Sequence, residues 1–118
     1  LKDRVDRASS RGYLKGLDGR KIFIRHRHAS LNTLLQGAGA IVMKKALTIL
    51  SDMLVLQTIP AKIVANIHDE WQIEVLESHA NGVGALAVRC IEQASKEYDL
   101  RCPLTGEFNI GDSWYETH

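Results

Sequence analysis

The chain has 118 residues, 45% of them hydrophobic and 25% charged, with 15 basic against 14 acidic side chains. That is one domain's worth of chain, and its ordinary composition excludes a disordered, collagen-like or coiled-coil protein. A formal charge of +1 excludes bulk attraction to polyanions, so any nucleic-acid contact must come from local patches.

The longest stretch free of charge and histidine, 29–43, carries Ser30, Asn32, Thr33 and Gln36. It falls short of the about 20 mostly apolar residues of a membrane span. No basic segment followed by an apolar run opens the chain, so no secretory signal is expected. Cys90 and Cys102 form neither a disulfide framework nor a zinc-ligand spacing and read as reduced thiols of a cytosolic protein. Leu1, Val5 and Ala8 fall at i, i+4 and i+7, one face of a helix already under way. With no initiator methionine and no capping residue before it, the chain reads as a piece of something longer.

Next comes Gly12-Tyr13-Leu14-Lys15-Gly16-Leu17, then Asp18-Gly19, then Arg20-Lys21-Ile22-Phe23-Ile24-Arg25. An Asp-Gly pair between two β-rich runs predicts a hairpin with a type I′ turn. The hairpin carries Lys15, Arg20, Lys21 and Arg25, with Arg27 following and only Asp18 acidic. A solvated face explains such a run, and so does phosphate binding.

A long helix is predicted from Ser30 to Leu56, with an apolar stripe of Leu31, Leu35, Ala38, Val42, Ala46, Ile49, Met53 and Leu56. Asn32 and Gln36 lie one turn apart on a second face. Gly37-Ala38-Gly39-Ala40 makes the middle unusually small. Interior glycines cost roughly 1 kcal/mol each, so either close packing or a ligand is expected there.

Lys62–Ile67 and Trp71–Leu76 alternate apolar and polar residues around His68-Asp69-Glu70. Placing Ile63, Ala65 and Ile67 on one face with Trp71, Ile73 and Val75 requires a connection of odd length. A three-residue loop at His68–Glu70 meets that condition, and it requires Trp71 and Ile73 to be buried. A second helix follows from Asn81 to Tyr98, burying Val83, Leu86, Ala87, Cys90, Ile91, Ala94 and Tyr98. Leu104–Ile110 is predicted as a strand. The order implies a single α+β domain over 1–118, an antiparallel sheet of hairpins with helices packed on one face.

Only His68-Asp69-Glu70 concentrates reactive groups. Adjacent carboxylates are hard oxygen ligands suited to Mg²⁺, which takes one or two carboxylates plus substrate phosphates. Acidic residues are also common in turns for solubility and local hydrogen bonding. His26 and His28 lie in an arginine-rich run that disfavours a metal. Ser9, Ser10 and Ser30 lack a nucleophile elbow, and Gly37-Ala38-Gly39 is not a phosphate loop. His79 and His118 read as surface residues.

Gly12-Tyr13-Leu14, Gly19-Arg20, Leu31-Asn32-Thr33, Gln36-Gly37, Lys44, Ile67-His68-Asp69-Glu70 and Gly111-Asp112-Ser113-Trp114 follow one another as in family A DNA polymerases, the DNA polymerase I type, which the chain resembles along essentially its whole length. Gly-Leu-Asp-Gly-Arg-Lys, Leu-Asn-Thr-Leu-Leu-Gln and the terminal histidine look most like replicative polymerases of podovirus-type bacteriophages. The resemblance implies the C-terminal part of a polymerase palm, with a fingers-proximal segment over 1–30.

By that resemblance Asp69 matches the motif C aspartate, which with a second aspartate holds two Mg²⁺ ions. One lowers the pKa of the primer 3′-hydroxyl and the other steadies the triphosphate and leaving pyrophosphate. Glu70 matches the supporting acidic neighbour, and His68 the histidine at the primer end. Asn32 and Gln36 match amides that reach minor-groove acceptors common to all four base pairs. Arg20, Lys21 and Arg25 fall where phosphate contacts to the duplex are expected. The implied partners are primer–template DNA, dNTP and the remainder of the polymerase chain, with no membrane and a processivity factor left open. The implied location is the cytoplasm of a bacterial host or phage-infected cell.

The motif A aspartate and the nucleotide-binding Arg, Lys and Tyr of the fingers helix do not occur in these residues, so the chain alone is expected to be inactive. His28 stands where many bacterial relatives carry arginine. Two other readings stay open at this point. One is a non-catalytic nucleic-acid-binding module retaining the palm fold. The other is a small metal-dependent phosphodiesterase using Asp69 and Glu70.

Overall fold

A computed structural model of the protein describes residues 2–117, without the side chains of Lys2, Ala8, Ser9 and Arg27. The expectations placed on Leu1, on the side chains of Ala8, Ser9 and Arg27, and on His118 lie outside the described residues. The chain divides into two compact units, Leu1–Ile41 and Val42–His118.

The first unit opens with α1 (Lys2–Arg11), whose Val5 is buried. A hairpin of β1 (Tyr13–Lys15) and β2 (Lys21–Phe23) follows, with Tyr13 opposite Phe23, Leu14 opposite Ile22 and Lys15 opposite Lys21. Side chains alternate across a strand. Leu14 and Ile22 therefore form the inner face, with Leu14 buried, while Lys15, Lys21 and Phe23 point outward and are exposed.

The turn differs from the type I′ expectation. Positive φ occurs at Gly19 (84°) and not at Asp18, whereas type I′ needs it at both. Gly16 N–H donates to the Arg20 carbonyl at 2.9 Å and Gly19 N–H to the Gly16 carbonyl at 3.0 Å, leaving Leu17–Gly19 as a three-residue loop. Asp18 favours this form because its carboxylate accepts from the Arg20 backbone N–H at 3.1 Å and from Arg20 Nε at 2.5 Å. Those bonds hold the Asp18 carboxyl below its usual pKa, the Arg20 side chain first.

After a 3₁₀ turn at Arg27–Ala29, α2 runs from Ser30 to Leu56, and its first part belongs to this unit. Its small stretch has a packing reason. A Cβ on Gly37 would come within 3.1 Å of Ile22 Cδ1, so the inner face of the hairpin approaches the helix backbone there. Gly39 has open space around it.

The second unit holds the rest of α2, β3 (Ala61–Ile67), β4 (Glu70–Val75), α3 (Ala80–Glu97) and the short α4 (Trp114–Thr117). Its core joins Leu50 and Leu54 of α2 to Val83, Leu86, Ala87 and Cys90 of α3, against Ala61, Ile63, Trp71, Ile73 and Val75 of the hairpin. A neighbouring cluster joins Val42, Ala46 and Ala94, again against Trp71, with Ile91, Tyr98, Leu100 and Leu104. Cys90 is buried and its thiol is pushed above the ordinary value by that burial, while Cys102 is exposed; neither forms a disulfide.

The expected buried face of α2 needs correction. The buried row is Val42, Ala46, Leu50 and Leu54, a pure i+4 series, while Leu31, Leu35 and Leu56 are exposed. A row at i+4 tilts across the helix axis, so a stripe drawn at mean spacing drifts away from it over 27 residues. The expected face of α3 matches more closely, with Val83, Leu86, Ala87, Cys90 and Ala94 buried.

The architecture is α+β, and its hairpins form two separate two-stranded antiparallel sheets. The predicted strand at 104–110 is absent. That segment lies along α3, with Leu104 N–H donating to the Ser95 hydroxyl at 3.0 Å and the Thr105 hydroxyl to Glu92 at 2.8 Å. Gly106 follows against Ile91 and Phe108 against Gly84. A run on a helix has no neighbouring strand to pair its backbone with, so β propensity there produces only an extended segment.

A Cβ at Gly84 would run into the Phe108 ring, its Cγ included. Gly84→Ala is therefore expected to lower stability by about 1–2 kcal/mol in denaturant unfolding, the overpacking outweighing the gain in helix propensity. In the Phe108→Ala background the same change should cost nothing further.

Candidate functional site

His68 and Asp69 form the two residues between β3 and β4, with Ile67 opposite Glu70. The connection is thus two residues long, not the three predicted. Parity is restored further down by a register shift between Ile63 and Ala65, where Val64 is an extra residue. Below it Ile63 faces Ile73 and Ala61 faces Val75, all packed against the core. Above it Ala65 opposes Gln72 and Ile67 opposes Glu70, so neither pairs with the core-facing residues of β4. Ile67 is accordingly 36% exposed. Trp71 and Ile73 keep their inward direction, half-buried within the core packing.

The shorter connection changes what the tip presents. His68 has φ 55°, the left-handed region, and is the first of the two turn residues. Positive φ at that position is the II′ pattern, which favours glycine. A non-glycine residue there stores about 1–2 kcal/mol. His68 and Asp69 are both exposed, and Glu70 is half-buried as the first residue of β4.

Behind the tip, Trp71 is the anchor. It packs into both apolar clusters of the unit, and its indole N–H is buried without a hydrogen-bond partner. An unpartnered buried N–H costs about 1–3 kcal/mol, a cost offset by the large apolar area of the ring. One residue further, Gln72 Oε1 accepts from the Thr117 hydroxyl at 3.2 Å and ties α4 to β4. The Gly111–Trp114 motif leads into that helix, where Glu116 accepts from the Asp112 N–H at 2.6 Å.

The other predicted residues belong to the first unit. Asn32 and Gln36 are exposed, one turn apart on α2. Arg20 is engaged by Asp18, although its side chain stays 78% exposed. Lys21 extends its ammonium over the Tyr13 ring, 4.7 Å from the centroid, and Arg25 is exposed. His26 and His28 stack with centroids 5.5 Å apart. Sequence reading missed Arg11, Tyr13 and Phe23. For Phe23 the signal was its outward alternation with Lys21 in β2, legible once the turn length fixes the pairing; Arg11 and Tyr13 are joined by a ring contact that only the fold shows. Among the described residues no group of three or more His, Cys, Asp or Glu side chains could enclose a metal ion. No helix among them is long and apolar enough to cross a membrane.

This combination defines a class. The sequence model of DNA polymerase family A matches residues 1–116, and the chain belongs to that family. The chain is 35% identical over 125 residues to a DNA-directed DNA polymerase of Escherichia phage Phieco32, covering 100% of this chain and 20% of that protein. It is 35% identical over 115 residues to the DNA-directed DNA polymerase of Escherichia phage T7, covering 92% and 16%. DNA polymerase I of Geobacillus stearothermophilus is 30% identical over 108 residues, covering 90% and 12%. The chain therefore spans about a fifth or less of these relatives. Its fold matches the solved POL domain of Pol1 from M. smegmatis in complex with DNA primer-template and dNTP, with a TM-score of 0.68 at 24% identity, over 79% of this chain and 18% of that one.

The strain at His68 is measurable apart from any chemistry. His68→Val should destabilise the chain by about 1–2 kcal/mol, because a β-branched residue resists positive φ. His68→Gly should cost less than 0.5 kcal/mol, relief of strain compensating the added chain entropy. Denaturant midpoints that place the two substitutions in the opposite order contradict a left-handed His68.

Proposed function

We propose that this chain is part of the palm of a DNA-directed DNA polymerase, its C-terminal part with a fingers-proximal segment over 1–30. In that reading the whole protein adds deoxynucleotides to a primer 3′ end, directed by a template, in the cytoplasm of a bacterial host or phage-infected cell. The observation that carries the reading is Asp69, an exposed carboxylate on a strained two-residue turn, in a chain that family A matches over 1–116. The phage relatives are named DNA-directed DNA polymerases, and the M. smegmatis structure holds primer–template and dNTP, which supports DNA and dNTP as partners.

Asp69 is the proposed metal ligand, with Glu70 in support. The donor set fits Mg²⁺, a hard cation that takes one or two carboxylates and completes its shell with substrate phosphate oxygens and water. Two bound ions would lower the pKa of the primer 3′-hydroxyl and neutralise charge on the triphosphate. A two-residue turn anchored by Trp71 can hold the Asp69 carboxylate still against the reacting phosphate, as positional catalysis requires. His68 donates a hydrogen bond to the primer end. Asn32 and Gln36 donate from their amides to minor-groove acceptors, checking pair geometry without reading sequence. Arg20, Lys21 and Arg25 contact backbone phosphates.

A two-metal site needs a second carboxylate residue, and Asp69 with Glu70 does not make a three-ligand group among the described residues. We therefore expect the 118-residue chain alone to show no nucleotide addition. Primer extension above background by the purified chain would overturn that expectation. In the polymerase that contains this segment, Asp69→Asn should lower nucleotide addition at least about 1000-fold, at the scale of losing charge stabilisation in a transition state. Primer–template affinity should stay nearly constant, and an equal loss of both contradicts a metal-ligand role. Gln36→Ala should change the error spectrum or extension from mismatched ends; identical spectra contradict minor-groove checking.

A further inference from the structure

The outer face of the β1–β2 hairpin has a composition that folding alone does not explain. Lys15 and Lys21 are directly opposite in the register. Residues so placed have Cβ atoms about 4.5–5.5 Å apart, and like charges there repel. Lys21 and Arg11 both lie against the Tyr13 ring, at 4.7 and 4.9 Å from its centroid. Opposite Tyr13 stands Phe23, an aromatic side chain left 77% exposed, and the exposed Arg25 follows two residues on. Asp18, the one acidic side chain of the hairpin, is consumed at the turn by Arg20.

Three cations and two rings therefore gather on the outer side of the hairpin, with Arg25 just beyond its second strand and the hairpin's own acid held at the turn. A hydrated duplex backbone would use the charges and leave Phe23 idle, since paired bases offer no free π-face. A single strand uses both. Its phosphates neutralise the opposed lysines, and an unstacked base lies on the exposed ring.

We propose that this hairpin face binds single-stranded nucleic acid, with Phe23 as the base-stacking platform and Arg11, Lys15, Lys21 and Arg25 along the phosphates. Tyr13, with two cations already on its ring, holds Arg11 and Lys21 in position beside Phe23. The inference rests on the nucleic-acid reading above for its setting, but it uses no residue of the His68–Glu70 turn. It names the strand form whose phosphates Lys21 and Arg25 contact, which that reading leaves unnamed.

The test is fluorescence anisotropy of the 118-residue chain with labelled oligo(dT) of about 20 nucleotides and with a duplex of the same length. The single strand should bind more tightly. Phe23→Ala should weaken oligo(dT) binding about 5- to 100-fold and leave duplex binding unchanged, and Phe23→Trp should restore it. The slope of log affinity against log salt should be about −3 for four phosphate contacts, falling by about 0.7 in Lys15→Gln. Tighter binding to duplex, an equal loss on both ligands, or no oligo(dT) binding overturns the proposal. So does self-association through Phe23, seen as dimers that Phe23→Ala dissolves. The polymerase reading fails separately, if nucleotide addition survives Asp69→Asn.

Discussion

The packing of Trp71 is the interaction on which the second unit depends. The ring joins two apolar clusters, one between the hairpin, α2 and α3, the other around Val42, Ala46 and Ala94. It stands two residues beyond Asp69, so the same side chain that completes the core fixes the height of the turn above it. A buried indole N–H without a partner costs about 1–3 kcal/mol. A smaller apolar residue would avoid that cost but would not reach both clusters.

That anchoring explains why the strand above the core can be irregular. Ile73 and Val75 must face the core, and so must Ile63 and Ala61 across from them. The two-residue turn inverts this parity, and the extra residue Val64 inverts it back. The top of the hairpin is thereby released from the core pattern, with Ile67 partly exposed and His68 held at positive φ. A three-residue loop would have kept regular pairing and a relaxed backbone. The observed form exchanges that regularity for a short, sharply defined tip, the kind of rigid support a catalytic or ligand-holding carboxylate requires.

The first unit is organised around a different constraint, the close approach of Ile22 to Gly37. Because the inner face of β1–β2 is spent on that contact, every outward position is free to be charged or aromatic. The second unit spends its hairpin in the opposite sense, with the apolar face carrying the core and the polar turn carrying the candidate chemistry. One motif, a two-stranded hairpin, thus serves once as a charged face and once as a pedestal.

Much of this was legible in the residues. The bounds of α2, the two hairpins, the second helix and a polar turn at His68-Asp69 follow from periodicity and turn residues, which act over a few positions and need no tertiary knowledge. The family resemblance rested on ordered short motifs, and the match over 1–116 agrees with it. Tertiary structure decided the rest: the two-residue turn with its compensating bulge, the i+4 burial row of α2, and the outer face of the first hairpin. It also laid 104–110 along α3 instead of in a sheet. Each of these turns on which neighbour a segment meets. A sequence shows a strand's alternation but not its partner, and an extended chain becomes a strand only when another strand is there to take its hydrogen bonds.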